Sequence, residues 1–259
     1  MSQQISVVIN TYNAAKHLAS VLESVKDFDE VLICDMESTD QTLAIASQYG
    51  CRICTFPKGS HSIVEPARQF AIDQATHNWV LVVDADEVVT PQLRQCLYQL
   101  IENDQEVAGV AIPRRNYFMG KFMHAAYPDY ILRLLRRDKA QWPPIIHSSP
   151  KVDGKVIRLP KHTPGLAFEH LANDSVADII RKNNTYSEYE VIRRQNKNYG
   201  LGRLLLRPSF RFFKSYILNL GIIDGRPGLI FALLQASYQF FIVAKLMEKK
   251  LQNNKKTQE

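Results

Sequence analysis

The chain has 259 residues, 46% of them hydrophobic and 22% charged, the balance of a folded globular protein with one sizeable core and too short for two large independent domains. No low-complexity block or internal repeat interrupts it, which excludes disordered and solenoid classes. The net charge of +6 is uneven: residues 1–154 carry 14 basic and 18 acidic groups, residues 155–259 carry 18 and 8, so the C-terminal part calls for an anionic partner, nucleic acid or the acidic face of a membrane.

Ile5 to Ile9 is a short apolar β-type run that ends in Asn10-Thr11-Tyr12-Asn13, and Ala14 to Val25 then shows helical spacing through Leu18, Val21, Leu22 and Val25. Val31 to Cys34 repeats the buried-strand pattern and is closed by Asp35 to Asp40. Thr42 to Tyr49 reads as a helix with Gly50 at its stop. Cys51 to Phe56 is a third strand, Ala67 to Ala75 a third helix, and Trp79 to Val83 a fourth strand that runs into Asp84. Strands alternating with helices imply parallel strands with right-handed crossovers, and the loops after the strands share one edge, where such sheets bind ligands. Residues 10–13, 35–40 and 84–87 are therefore expected to converge on one crevice. Gly109 to Pro113 and Tyr130 to Leu135 are further β-type runs, a hairpin is expected around Val152-Asp153-Gly154-Lys155, and Ser175 to Arg194 and Leu229 to Leu251 are helices, the first capped by Asn173, Asp174 or Ser175.

Four cysteines make no dense framework, and no signal peptide precedes the first apolar run, so a reducing cytoplasmic setting is expected. Cys51 and Cys54 have redox-motif spacing, but they fall in an alternating strand pattern that points them to opposite faces. No Gly-x-Gly-x-x-Gly follows the first strand, which speaks against a dinucleotide-dependent oxidoreductase. A carboxylate pair such as Asp84 and Asp86 at the end of an apolar strand suits a hard cation whose coordination is completed by phosphate oxygens.

Ser6 to Asn13, Cys34 to Asp40, Ala67-Arg68 and Val82-Val83-Asp84-Ala85-Asp86-Glu87 stand in the order and spacing of family 2 glycosyltransferases, and the chain resembles that family. Tyr127 to Arg137 and Gly221 to Gly228 are similar to the subgroup that contains lipopolysaccharide-core glucosyltransferases. The resemblance implies a GT-A fold, an α/β Rossmann-like mixed sheet with a nucleotide-sugar-binding half (1–108), an acceptor half (109–172) and a C-terminal helical, membrane-associating extension (173–259). It implies an inverting transfer of a hexose from a nucleotide diphosphate sugar, UDP-linked, to a lipid-linked or lipopolysaccharide-type acceptor, with Mg²⁺ or Mn²⁺ as cofactor. Thr11, Tyr12, Asn13, Asp35 and Ala85 become nucleotide-sugar contacts, Arg68 lies near the phosphates, Asp84 reaches ribose or metal, and Asp86 holds the metal. Three departures stand out: Met36 and Glu37 replace residues that are often Asp or Ser and usually Gly in the family, and His147 is followed by Ser148 instead of Glu.

The acceptor hydroxyl needs a general base. Asp129 is the first candidate and His147 the second; for Asp129 an ion pair with Arg133 or Arg136 is the structural alternative. Arg133 and Arg136 are candidate contacts for an anionic acceptor or phosphate. His61, His77, His124 and His170 have no metal-ligand spacing and read as structural or solvent-facing. Gly228 to Ala244 carries no charge but contains Gln235, Ser237 and Gln239, and is marginal for a spanning helix. With Arg203, Arg207, Arg211 and Lys214 interleaved among leucines and phenylalanines, the region reads as a surface docking on anionic lipid at the inner face of the cell membrane; a helical pair packed on the catalytic domain or a dimer interface is the alternative. Aromatics set among long aliphatics favour lipid or core over nucleic acid.

Overall fold

The computed structural model describes residues 3–59, 64–144, 149–172, 175–197 and 199–256. They form two compact units, one of residues 1–115 and 128–171, the other of residues 116–127 and 172–259.

The first unit is a mixed sheet. In chain order its elements are β1 (Ile5–Thr11), α1 (Ala15–Val25), β2 (Glu30–Asp35), α2 (Thr42–Gln48), β3 (Arg52–Thr55), α3 (Glu65–Asp73), β4 (Trp79–Asp84), β5 (Glu87–Val88), α4 (Pro91–Asn103) and β6 (Val107–Phe118). After β7 (Lys121–Phe122), which belongs to the second unit, come β8 (Asp129–Arg136), β9 (Ala140–Gln141), β10 (Lys151–Val152), β11 (Lys155–Arg158) and β12 (Phe168–His170). The strand order is β3-β2-β1-β4-β8-β6-β12-β5, with β11 beside β6. β1 to β4 are mutually parallel, and β8 enters antiparallel to β4 and β6.

The apolar runs are continuous because both faces of the sheet are covered. Ile5, Val7 and Ile9 point to the layer of Leu18 and Leu22 from α1 and Leu93 and Leu97 from α4. The alternate residues Val8, Leu32 and Val82 meet Ala67, Ala71 and Ile72 of α3. Helix α4 is absent from the expectations above, although Thr90 caps it by accepting from Leu93 N at 3.0 Å and Pro91 opens it. The hairpin expected at Val152–Lys155 does not form: β10 pairs with β9 and β11 runs parallel to β6, because Asp153 N bonds back to Lys139 O at 2.8 Å and carries the chain to a different neighbour. The stretches on either side of residue 108 share one sheet, because β6 continues the sheet that holds β1 to β4. Cys51 and Cys54 are free thiols at and in β3.

The second unit holds β7, α5 (Val176–Arg193), α6 (Leu201–Phe213) and α7 (Arg226–Lys256), with a wider π-type turn at Lys214–Leu218. Ser175 caps α5 through a reciprocal box with Asp178. Val191, Tyr199, Ile242, Val243 and Leu246 form one small core, and Phe118, Met123 and Leu234 another. The Gly221–Gly228 segment is a structural clasp. Asp224, 5% exposed, accepts from the backbone N–H groups of His124 and Ala125 at 3.1 Å and bonds His124 Nδ1 at 2.6 Å. Gly225 takes φ +67°, and Gly228 lies so close to Gly221 that no side chain fits between them.

Candidate active site

Strand register places the three polar loops. Thr11 is paired with Asp35 across β1 and β2, and Asn10 is paired with both Cys34 and Asp84, so β1, β2 and β4 end level with one another. Loops 10–13 and 35–40 are latched by side chains. Thr11 Oγ1 donates to Asp35 Oδ1 at 2.8 Å, Ser38 N donates to Asp35 Oδ2 at 2.8 Å, Asn13 N donates to Ser38 Oγ at 2.9 Å, and Thr39 N donates to Asn13 Oδ1 at 2.8 Å. Asn13 and Glu37 both adopt left-handed backbone, with φ of 48° and 62°. A glycine, which the family resemblance led one to expect where Glu37 stands, would take this backbone without strain; this chain accepts the strain and uses the Glu37 carboxylate to receive Lys58 N at 3.2 Å. Tyr12 is exposed, with the Lys58 ammonium 4.8 Å from its ring centroid, leaving an aromatic face for a flat heterocycle.

Asp84 and Asp86 have separate environments. Asp84 Oδ1 accepts from Arg68 Nη2 at 2.8 Å and Oδ2 accepts from Arg133 Nη2, and both guanidiniums are buried. Burial would raise the Asp84 carboxyl, but Arg133 and Arg68 together hold it well below the usual carboxylate range. Both Asp84 oxygens are engaged in this way, so Asp84 organises the two arginines at this edge. The tryptophan Trp142 backs the pair, its ring centroid 4.9 Å from the Arg68 guanidinium and 5.6 Å from that of Arg133. Among the described residues, Arg68 Nε and Nη1 and Arg133 Nε are buried without acceptors. Unmatched cationic donors at this edge are suited to the oxygens of a diphosphate.

Asp86 keeps a carboxylate 35% exposed, and His170 Nε2 stands 3.4 Å from its Oδ2. Two features hold this pair: Leu171 N donates to Asp86 O at 2.7 Å, and β12 pairs with β5 so that His170 lies opposite Glu87. His170, read from sequence as structural or solvent-facing, is thus brought to the acidic tripeptide. His17 of α1 is close enough to feel both; burial, then Lys16, lower its pKa, against the pull of Asp86. Among the described residues no group of three or more His, Cys, Asp or Glu side chains forms a ready metal cage. One carboxylate and one imidazole nevertheless fit a divalent ion that takes its remaining ligands from phosphate and water. Ala85 between them packs its methyl group on the core.

Behind this edge an ionic chain crosses the sheet. Fully buried Glu87 accepts from Arg114 Nη1 at 3.0 Å, and Arg114 holds Asp129 Oδ2 through Nε at 3.0 Å and Nη2 at 2.6 Å. Burial and the neighbouring Asp84 charge raise the Glu87 carboxyl. Asp129 is therefore paired with Arg114, not with Arg133 or Arg136, and 38% of its side chain stays exposed. Arg136 is not at this edge: it lies opposite Trp79, at the start of β4, about 16 Å from Asp84 along the strand, and pairs with Asp138. His147 lies outside the described residues.

Residues 6–150 match the model of Glycosyl transferase family 2. The lipopolysaccharide core biosynthesis glycosyltransferase LpsC of Rhizobium meliloti (strain 1021) is 27% identical over 264 residues, covering 95% of this chain and 92% of that protein. A glycosyltransferase of Rickettsia felis is 26% identical over 269 residues, 97% of this chain and 92% of its own. Among solved structures, the mannosyltransferase PcManGT of Pyrobaculum calidifontis, in complex with GDP-Man and Mn²⁺, superimposes with a TM-score of 0.56 at 14% identity, over 96% of this chain and 88% of that one. That likeness carries the GT-A fold across nearly the whole length.

Proposed function

The chain belongs to glycosyl transferase family 2, and from that premise we propose that it moves a hexose, with inversion, from a UDP-linked donor to a hydroxyl of a lipid-linked or lipopolysaccharide-type acceptor. The observation that carries the reading is the register that sets Thr11 and Asp35, the Arg68–Asp84–Arg133 cluster and the Asp86–His170 pair on one sheet edge. The choice of acceptor is supported by the full-length similarity to LpsC.

In this reading Thr11, Tyr12, Asn13 and Asp35 hold base and ribose, and Arg68 and Arg133 direct donors at the diphosphate. Asp86 and His170 would hold Mg²⁺ or Mn²⁺, which when bound offsets charge on the diphosphate leaving group. The acceptor oxygen attacks the anomeric carbon as the bond to the diphosphate breaks. The hydroxyl proton passes to Asp129, whose carboxylate Arg114 fixes at the start of β8.

The test is release of nucleoside diphosphate from a panel of UDP-, GDP- and dTDP-sugars with each metal, with and without membrane-lipid extract, for the parent, Asp86→Ala and His170→Ala. Metal-dependent turnover with one donor, abolished by Asp86→Ala and shifted to at least tenfold higher metal by His170→Ala, is expected. A donor that binds but is not turned over with any extract would replace the transferase by a nucleotide-sugar-binding module.

A further inference from the structure

Helix α6 turns its amphipathic pattern the opposite way from a helix of a soluble core. None of its 13 residues is buried. Leu201, Leu205, Leu206, Phe210 and Phe213 are between 49% and 71% exposed, and the exposed apolar surface continues through Leu218 to Ile223. A helix packed in a soluble protein would bury that arc.

The other side of α6 carries Arg203, Arg207, Arg211 and Lys214, one helical turn apart. It borders a groove of about 440 Å³ lined by Leu206, Arg207, Phe210, Arg211, Lys214 and Gln239. Among the described residues the arginines reach only neutral partners: Arg207 donates to Tyr199 OH at 2.9 Å and Gln239 Oε1 at 3.2 Å, and Arg211 to Gln235 Oε1 at 2.7 Å, while Arg211 Nε is buried without an acceptor there. No carboxylate is available nearby in sequence, because residues 191–223 contain seven Lys and Arg and no Asp or Glu.

We propose that α6 and the segment to Ile223 lie in the surface of an anionic phospholipid bilayer, with the leucine and phenylalanine side chains among the acyl chains and the Arg207–Arg211–Lys214 groove taking a lipid phosphate. Apolar arc and cationic border on one short helix are what an in-plane membrane anchor requires. A second copy fits this face less well, because a two-fold contact sets the same cationic stripe of each protomer against the other. Helix α7 is long and apolar enough to cross a membrane by length and composition. Its Lys245, however, donates to Asn184, Ser187 and Glu188 of α5, and its Gln235 and Gln239 receive the α6 arginines, so α7 is the support and α6 the docking element. The proposal is independent of the catalytic reading.

The test is co-sedimentation of the full chain with vesicles of phosphatidylcholine alone or mixed with phosphatidylglycerol, at low and high salt. The parent should bind the anionic vesicles at least tenfold more tightly, and high salt should weaken that binding. Leu205→Ser with Leu206→Ser removes two side chains that are 70% and 69% exposed, so the fold is kept, and should lower affinity at least tenfold. Arg207→Gln with Arg211→Gln should lower affinity for anionic vesicles about twentyfold and leave binding to neutral ones unchanged; if circular dichroism shows this variant unfolded, exposed Arg203→Gln with Lys214→Gln takes its place. Equal binding to both vesicle types overturns the proposal. So does a solution dimer that Leu205→Ser with Leu206→Ser dissociates while vesicle binding stays at the parent level.

Discussion

Asp84→Asn should destabilise the catalytic unit more than any other change in the acidic tripeptide. Among the described residues Asp84 is the one hydrogen-bond partner of Arg68, which is 6% exposed, and it also neutralises Arg133, which is 5% exposed. An asparagine at this site can satisfy one guanidinium through its carbonyl oxygen but turns an NH₂ group toward the other. Breaking a buried ion pair from one side costs about 3–5 kcal/mol. A quarter of the Asp84 side chain is still exposed, which moves the expectation to the lower part of that range, about 2–4 kcal/mol. At roughly 2–4 °C per kcal/mol the Tm should fall by about 4–16 °C. Both tryptophans, Trp79 and Trp142, lie in the first unit, and Trp142 lies against the two arginines. A urea titration followed by tryptophan fluorescence therefore reads this unit alone. Asp86→Asn is the control: its carboxylate is 35% exposed, and the substitution should change stability by no more than about 0.5 kcal/mol while weakening metal binding. If Asp84→Asn unfolds within about 1 kcal/mol of the parent, Asp84 does not organise the arginines and the separation of the two aspartates fails.

Glu87 should impart an unusual acid dependence. Its carboxyl is raised by burial and by Asp84, so the folded state binds its proton before the unfolded chain does, and stability rises as pH falls toward the unfolded glutamate value of about 4.3. Asp84, held low, acts in the reverse sense: its contribution is complete above about pH 4 and is lost as pH falls further. Glu87→Gln should flatten the rise toward about pH 4.3 in fluorescence-monitored urea melts, and an unchanged slope would assign it elsewhere. Thr90→Ala removes the oxygen that accepts from Leu93 N and the hydroxyl that donates to Gly165 O, and should cost about 1–2 kcal/mol, with Thr90→Ser restoring most of it. Gly228→Ala would set a Cβ 1.9 Å from Gly221 O, a backbone atom that no rotamer change can move. The helix-propensity gain of about 1 kcal/mol cannot offset such overlap, and a net loss of about 2 kcal/mol or more is expected in a denaturation curve followed by far-ultraviolet circular dichroism.

The apolar runs made β1, β2 and β4 legible because parallel strands covered on both faces have almost no polar residues to confuse the pattern. Once the alternation of strand and helix was read, the convergence of loops 10–13, 35–40 and 84–87 followed from topology. The short pieces were less visible. β5 and β12, of two and three residues, have no periodicity of their own, yet their pairing is what brings His170 to Asp86. A lone histidine 84 positions from its partner has no local signature, although the alternation of Phe168, Glu169 and His170 after a turn was compatible with a strand. Helix α4 was missed although Thr90-Pro91 and the spacing of Leu93, Leu97 and Ile101 carry its signal.

The arginines show most clearly where pattern reading ends. Arg133 and Arg136 are three residues apart in one strand, and sequence offered them the same role. In a strand, odd separation sends them to opposite faces, and antiparallel entry of β8 beside β4 adds distance along the sheet: Arg133 reaches the Asp84 end, whereas Arg136 is level with Trp79. The direction of β8 was not encoded in any local motif. It decides which cation meets the carboxylate, and through Arg68, Arg133 and Arg114 it decides which of the four acidic groups Asp84, Asp86, Glu87 and Asp129 stay accessible. Glu87 is buried and Asp84 is doubly bound, so of the four it is Asp86 and Asp129 that stay partly exposed.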